Sequence, residues 1–284
     1  GEMLTSVSVE SPFAAVSYLA DTLLMSTQQR KVRLDNTKPN VIIGPNGSGK
    51  SAFLRALSLL TLSNLTGVTS LSDRYVSFNN KLWDLDGKSY SKNWRFLQGL
   101  TFEGVLNPTY YYRPGFIPNE ERCLTTALMC GFEKEARKVG ELTSKFSSGQ
   151  AAKNLMSHLF DLLDAQEVPP ASHPTWRYPT KSDKFKFQRG HMGDAETQAL
   201  ALVRHLETFE TQQRLIILDE PEQSLDAYQE ALLWERLAAV DCNKTQLVIA
   251  THSAHPIMND SHFNLIETVA SYASVTRALI PIRQ

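Results

Sequence analysis

Residues 44–51 read GPNGSGKS; Asn40-Val41-Ile42-Ile43 leads in and Ala52-Phe53-Leu54 leads out. Gly44, Gly49, Lys50 and Ser51 occupy the fixed positions of the G-x-x-x-x-G-K-[ST] pattern. The composition has a physical logic. Glycines let the loop formed by Gly44, Pro45, Asn46, Gly47, Ser48 and Gly49 fold tightly around an anion with N–H groups turned inward. The helix expected to follow, SAFLRALSLLTL, adds its positive N-terminal end. Lys50 is then expected to reach the β- and γ-phosphates of a nucleotide, and the Ser51 hydroxyl to hold Mg²⁺. The bland alternative is a glycine turn that binds nothing. It leaves the match at every fixed position, with a strand before and a helix after, as coincidence.

Working outward, residues 214–222 read RLIILDEPE. Leu215, Ile216, Ile217 and Leu218 form the continuous apolar run of a buried parallel strand. Asp219 and Glu220 follow at its carboxyl end, where α/β sheets place ligands. Asp219 is the candidate second Mg²⁺ ligand and Glu220 the candidate base for an attacking water. Residues 246–253, QLVIATHS, read as another apolar strand ending in Thr251-His252-Ser253. One crossover after Asp219, His252 is expected on the same sheet edge, within reach of a γ-phosphate. The helix between them is expected to bury Leu232, Leu233, Leu237 and Val240 on one face.

Together GPNGSGKS, LIILDEPEQSLD and VIATHS resemble the Walker A, Walker B with D-loop, and switch-histidine segments of ATP-binding-cassette (ABC) ATPases. They are most similar to the soluble branch of predicted ATPases grouped with the SMC, RecF and OLD-type proteins. The resemblance implies ATP and Mg²⁺ as cofactors, with Lys50 and Ser51 on the phosphates and metal. Asp219 becomes the metal carboxylate, Glu220 the catalytic base, His252 the switch histidine, and Asp226 the D-loop aspartate at a dimer interface. It also implies a homodimer in which two heads sandwich ATP, each capping the other's nucleotide with a signature segment.

Two stretches compete for that signature. Phe146-Ser147-Ser148-Gly149-Gln150 is close to the family's LSGGQ and precedes the helical run AAKNLMSHLFDLLD. Gly190-His191-Met192-Gly193-Asp194 matches less well in letters, but it opens a helix of ordinary length leading into the Asp219 strand. The first leaves far more chain before Asp219 than one helix and a turn require. Ser147, Ser148, Gly149 and Gln150 on one side, and His191 and Gly193 on the other, therefore stand as alternatives.

The family usually carries a metal-sensing glutamine after a strand in this interval. Here PTYYYRPGFIPN places Arg113 at the strand end, and Gln98 is the one glutamine between Lys50 and Phe146. SPFAAVSYLADTLLMSTQQR reads as a helix where the family opens with antiparallel strands; Phe13 and Tyr18 are adenine-stacking candidates, though a core role is the commoner fate of such rings. Arg177, Lys181, Lys184, Lys186 and Arg189 interleave with Trp176, Tyr178, Phe185 and Phe187, a composition suited to single-stranded nucleic acid as well as to a solvated loop.

Composition bounds the rest. The 284 residues are 42% hydrophobic with a net charge of −1, enough apolar mass for a sizeable core and no bulk charge bias towards any partner. Three scattered cysteines, Cys123, Cys130 and Cys242, point to reduced thiols in the cytoplasm. No apolar run approaches membrane-spanning length and no secretory pattern is visible; Gly1-Glu2 before Met3 resembles a tag remnant. No heptad run supports a coiled-coil arm, and no zinc spacing or G-x-S-x-G occurs.

The expectation is therefore a single α/β P-loop domain over residues 1–284. It has a mostly parallel core sheet, a small β-rich lobe after the first helix, and a helical signature subdomain inserted at about 108–195. Its expected function is an ATP-hydrolysing switch in a nucleic-acid process such as DNA repair or anti-phage defence, with an effector protein as partner. The alternatives are the nucleotide-binding subunit of an ABC transporter and a stand-alone P-loop kinase or regulator.

Overall fold

Three segments with near-continuous apolar runs become fully buried strands, and these form the centre of the fold. The computed structural model describes residues 2–9, 31–51, 53–54, 57, 100–107, 109–114, 145–164 and 213–280. Within them the strands are β1 (Leu4–Val9), β2 (Lys31–Arg33), β3 (Asn40–Ile43), β4 (Leu100–Gly104), β5 (Thr109–Tyr112), β6 (Arg214–Asp219), β7 (Thr245–Ala250) and β8 (Asn264–Glu267). The helices are α1 (Ser148–Asp164), α2 (Ala227–Ala238), α3 (His255–Met258) and α4 (Tyr272–Leu279), with a 3₁₀ turn at Asp260–His262. Lys50, Ser51, Phe53, Leu54 and Leu57 are also helical.

Five strands form one parallel sheet in the order β5-β6-β7-β3-β8. Every residue of β3, β6 and β7 is buried. Each fully buried Val, Leu or Ile there contributes on the order of 1.5–3 kcal/mol relative to exposure. Parallel strands need cover on both faces, which is why these segments carry apolar runs instead of alternation. The fold is mixed α/β, with a mostly parallel core as expected. The order also puts β7 between β3 and β6, so the Thr251 segment emerges between the Gly44 and Asp219 segments.

A second, antiparallel sheet has the order β2-β1-β4. The chain thus does open with antiparallel strands, around residues 10–30, where the expected helix lies outside the described residues. Gln246 of β7 joins the two sheets. Its Nε2 donates to the Leu4 carbonyl at 2.6 Å and its Oε1 accepts from the Leu4 N–H at 3.3 Å, both buried.

Helix α2 departs from the expected stripe. Leu233, Trp234 and Leu237 are buried, whereas Leu232 is exposed and Val240 lies beyond the helix end. The indole of Trp234 packs edge-on against Phe263, centroids 5.7 Å apart. Trp234, in place of Leu232, thus completes the buried face. Asp226 caps α2, its Oδ1 accepting the Gln229 N–H at 2.8 Å.

Helix α1 is anchored at its C-terminal end. Arg214 of β6 donates through Nε to Thr245 Oγ1 at 2.8 Å and through a second nitrogen to the Leu163 carbonyl at 3.4 Å. Arg236 of α2 pairs with Asp164 and lies 5.8 Å above the Phe160 ring. Cations at this end complement the helix dipole.

Candidate functional site

At the carboxyl end of β3 the chain turns through Gly44, Gly47 and Gly49 at φ of 159°, 76° and 96°. Gly47 has open space where a side chain would project, and a Cβ on Gly44 would collide with Thr268 Oγ1. The turn is secured by Ser48 Oγ donating to the Pro45 carbonyl at 2.6 Å and by Thr268 Oγ1 donating to Ser48 Oγ at 2.7 Å. Lys50 folds back on the loop, donating to the carbonyls of Gly44 at 2.7 Å and Pro45 at 3.1 Å. Burial lowers the Lys50 ammonium's pKa from its usual value, while Glu220, Asp219 and Glu222 pull it back up. A buried cation in a glycine loop, surrounded by carboxylates, suits a polyphosphate carrying its own divalent cation.

Ser51 Oγ lies 3.1 Å from Asp219 Oδ1 across the width of β7, so these two side chains converge although they are distant in sequence. Asp219 is wholly buried, and Arg113 Nη1 stands 3.5 Å from its other oxygen, Oδ2. The strand-end arginine therefore sits on the carboxylate expected to carry metal; Gln98 lies outside the described residues. Among the described residues no group of three or more His, Cys, Asp and Glu side chains forms a metal cage. Mg²⁺ needs none: one carboxylate and one hydroxyl, completed by phosphate oxygens and water, is its usual setting in nucleotide sites. Ser51 and Asp219 fit that requirement.

Glu220 follows Asp219 with φ of 49°, a left-handed conformation uncommon for a non-glycine residue. Its N–H donates to the Ala250 carbonyl at 2.8 Å, which ties the turn to the end of β7. The side chain points to His252, with Nε2 2.6 Å from Glu220 Oε1. Both groups are partly open to solvent. Two residues on, Glu222 accepts from Thr251 Oγ1 at 2.6 Å and from the His252 N–H at 3.0 Å. Burial pushes its carboxyl pKa above the usual carboxylate range. Glu222, Thr251 and Thr268 are site residues that sequence reasoning passed over; the second glutamate of DEPE was the available signal for the first.

Residues 147–150 are exposed at the start of α1, where Ser147 Oγ accepts the Gln150 N–H at 3.4 Å. Gly149 faces the Ser224 carbonyl, which would be 3.9 Å from a Cβ built on it. The first signature candidate is thus beside the loop that carries Asp226, which is also exposed. His191, Gly193, Phe13, Tyr18 and the basic set Arg177, Lys181, Lys184, Lys186 and Arg189 lie outside the described residues.

A family profile described as "AAA domain, putative AbiEii toxin, Type IV TA system" matches residues 40–105. The match covers the glycine loop and supports a P-loop ATPase-like, nucleotide-binding domain. It stops short of Asp219, Glu220 and His252, which the fold itself brings to that loop. No curated protein matches the chain. No helix among the described residues is long and apolar enough to cross a membrane.

Proposed function

We propose that this protein is a Mg²⁺-dependent ATPase of the ABC type, working as a switch through head-to-head dimers. One observation carries the reading: Lys50, Ser51, Asp219, Glu220 and His252 collect at the carboxyl ends of three adjacent parallel strands. Ser51 lies 3.1 Å from Asp219 and His252 lies 2.6 Å from Glu220.

The chemistry follows from these positions. The glycine loop and the N-terminus of the Lys50 helix bind the phosphates, and Lys50 exchanges its two loop carbonyls for phosphate oxygens. Ser51 and Asp219 hold Mg²⁺, which when bound neutralises developing charge on the phosphate oxygens. Glu220 accepts a proton from the attacking water. His252 shares a proton with Glu220 and so fixes the carboxylate's orientation, while its ring remains partly open to solvent.

The dimer reading draws support from the exposed residues 147–150 beside the Asp226 loop, since both would face a nucleotide held by a second copy. A nucleic-acid process, such as repair or defence with an effector partner, is the setting we favour. The matching family's description names a type IV toxin–antitoxin system, which agrees with a defence role and a protein partner.

The test is light scattering of the Glu220→Gln protein with and without ATP–Mg²⁺, repeated with single-stranded and duplex DNA. A doubling of mass on ATP supports the switch, and Ser148→Arg should block the doubling while nucleotide binding persists. A monomer that binds ATP under every condition overturns the dimer. Failure to bind ATP at all overturns the whole reading.

A further inference from the structure

The loop that presents His252 is held by two glutamates, one on each side. Its backbone leaves β7 and is tied at once to neighbouring β3, the Thr251 N–H donating to the Ile42 carbonyl at 3.3 Å. Glu222 then grips two consecutive residues with one oxygen, taking the Thr251 hydroxyl at 2.6 Å and the His252 N–H at 3.0 Å. Thr251 Oγ1 in turn accepts the Ser253 N–H at 2.9 Å, and Ser253 Oγ donates to Glu230 of α2. Thr251 and Ser253 are buried while His252 between them is exposed. The backbone on both sides of the histidine is pinned and the ring is left to face Glu220.

The placement of Glu222 is what makes this more than a loop tether. It lies two residues after Glu220 on the same turn, so one short segment sets the carboxylate that meets the ring and also holds the backbone that carries it. Two donors converge on one Glu222 oxygen, which accepts both through its two lone pairs. The other oxygen, Oε2, is buried with no hydrogen-bond partner among the described residues. Burying that oxygen unpaired costs free energy, and the two bonds accepted by Oε1 offset part of the cost. Burial also raises its pKa, and the two donors act against that shift.

We propose that Glu222 is a positioning residue for ATP hydrolysis: its carboxylate clasps Thr251 and the His252 N–H and thereby sets the His252 ring against Glu220. The inference rests on the ATPase reading above and assigns this residue a task inside it. Glu222 does not touch the nucleotide; it acts through His252.

The experiment compares Glu222→Gln, Glu222→Ala and Thr251→Val with the wild-type chain. Gln keeps an oxygen acceptor and should recover most of the turnover, whereas Ala and Thr251→Val should lower kcat roughly 10- to 100-fold, the scale of a misplaced catalytic group. KM and the affinity for a non-hydrolysable ATP analogue should stay within about twofold, because no nucleotide contact is removed. In the Glu222→Ala background, adding His252→Ala should cost little more, since the ring has already left Glu220; that non-additivity separates positioning from general loosening. Amide hydrogen exchange at His252, slow in the wild type, should speed up in Glu222→Ala. If Glu222→Ala keeps wild-type kcat, or if exchange at His252 does not change, the clasp is overturned. A wild-type chain that never hydrolyses ATP sinks the ATPase reading alone, and the exchange measurement still decides the clasp.

Discussion

His252 Nε2 and Glu220 Oε1 lie 2.6 Å apart, each delivered by a different strand of the parallel sheet. The contact makes a carboxylate and an imidazole act as a unit, and it sets the first prediction. Glu220→Gln should lower turnover about 10²- to 10⁴-fold, the usual value of a positioned base, with ATP affinity preserved. His252→Ala should act in the same direction, and the double variant should fall short of the product of the two losses. Steady-state phosphate release and analogue binding, measured side by side, check both statements.

A second expectation concerns the floor of the phosphate loop. Gly44 presses against Thr268 of the segment after β8, and a methyl group there has no room. Gly44→Ala should cost about 1–3 kcal/mol, as overpacking does, and should weaken nucleotide binding by displacing the loop. Thermal unfolding and nucleotide titration measure the two effects. Thr268→Gly in the same chain should restore part of the stability; if it restores none, the collision is not the cause.

Arg113 provides a third. Its guanidinium lies 3.5 Å from the buried carboxylate of Asp219. Removing it with Arg113→Ala leaves that charge less compensated, so the nucleotide-free protein should unfold at a lower temperature. Mg²⁺ with ATP supplies positive charge at the same carboxylate. The melting-temperature gain on adding ATP–Mg²⁺ should therefore be larger in the variant than in the wild type, and equal gains would rule out a shared site.

The fourth is a pH effect. Burial raises the Glu222 carboxyl pKa on folding, so the folded chain holds that proton more tightly than the unfolded chain. The associated stability is complete below the ordinary carboxylate range and is lost as pH rises through the raised value. Glutamine does not titrate. The melting temperature of Glu222→Gln should consequently gain on the wild type as pH increases from about 4 to about 7. A constant difference across that window would show that Glu222 is not raised.

What could be read from the sequence follows from how each feature is encoded. Strands β3, β6 and β7 carry largely apolar runs, and the residues after them form motifs, so Lys50, Ser51, Asp219, Glu220 and His252 are legible in the sequence as candidates. Their convergence was also expected, because parallel strands deliver their carboxyl ends to one edge. Strand β1 was not seen. In LTSVSV Val7 and Val9 alternate as in a strand but Leu4 is out of step with them, and the register shift between Leu4 and Ser6 accounts for the broken alternation. Thr268 could not be found either, since a lone threonine carries no pattern and gains its role only when β8 pairs beside β3. Glu222 was visible as a letter in DEPE, but its two donors come from a strand end almost thirty residues away.

The paired hydrogen bonds between Leu4 and Gln246 bear on how far this protein can be trimmed. The family match begins at residue 40, and it is tempting to take that point as the start of a minimal engineered domain. Gln246, however, sits in the strand that leads into Thr251 and His252, and its amide is satisfied from β1. A chain cut at residue 40 would leave that buried amide without its Leu4 partners, near the start of the strand that leads to the histidine. A truncated domain should still carry the phosphate loop but tend to aggregate along the exposed flank, so the shortest useful expression unit has to include the opening strand.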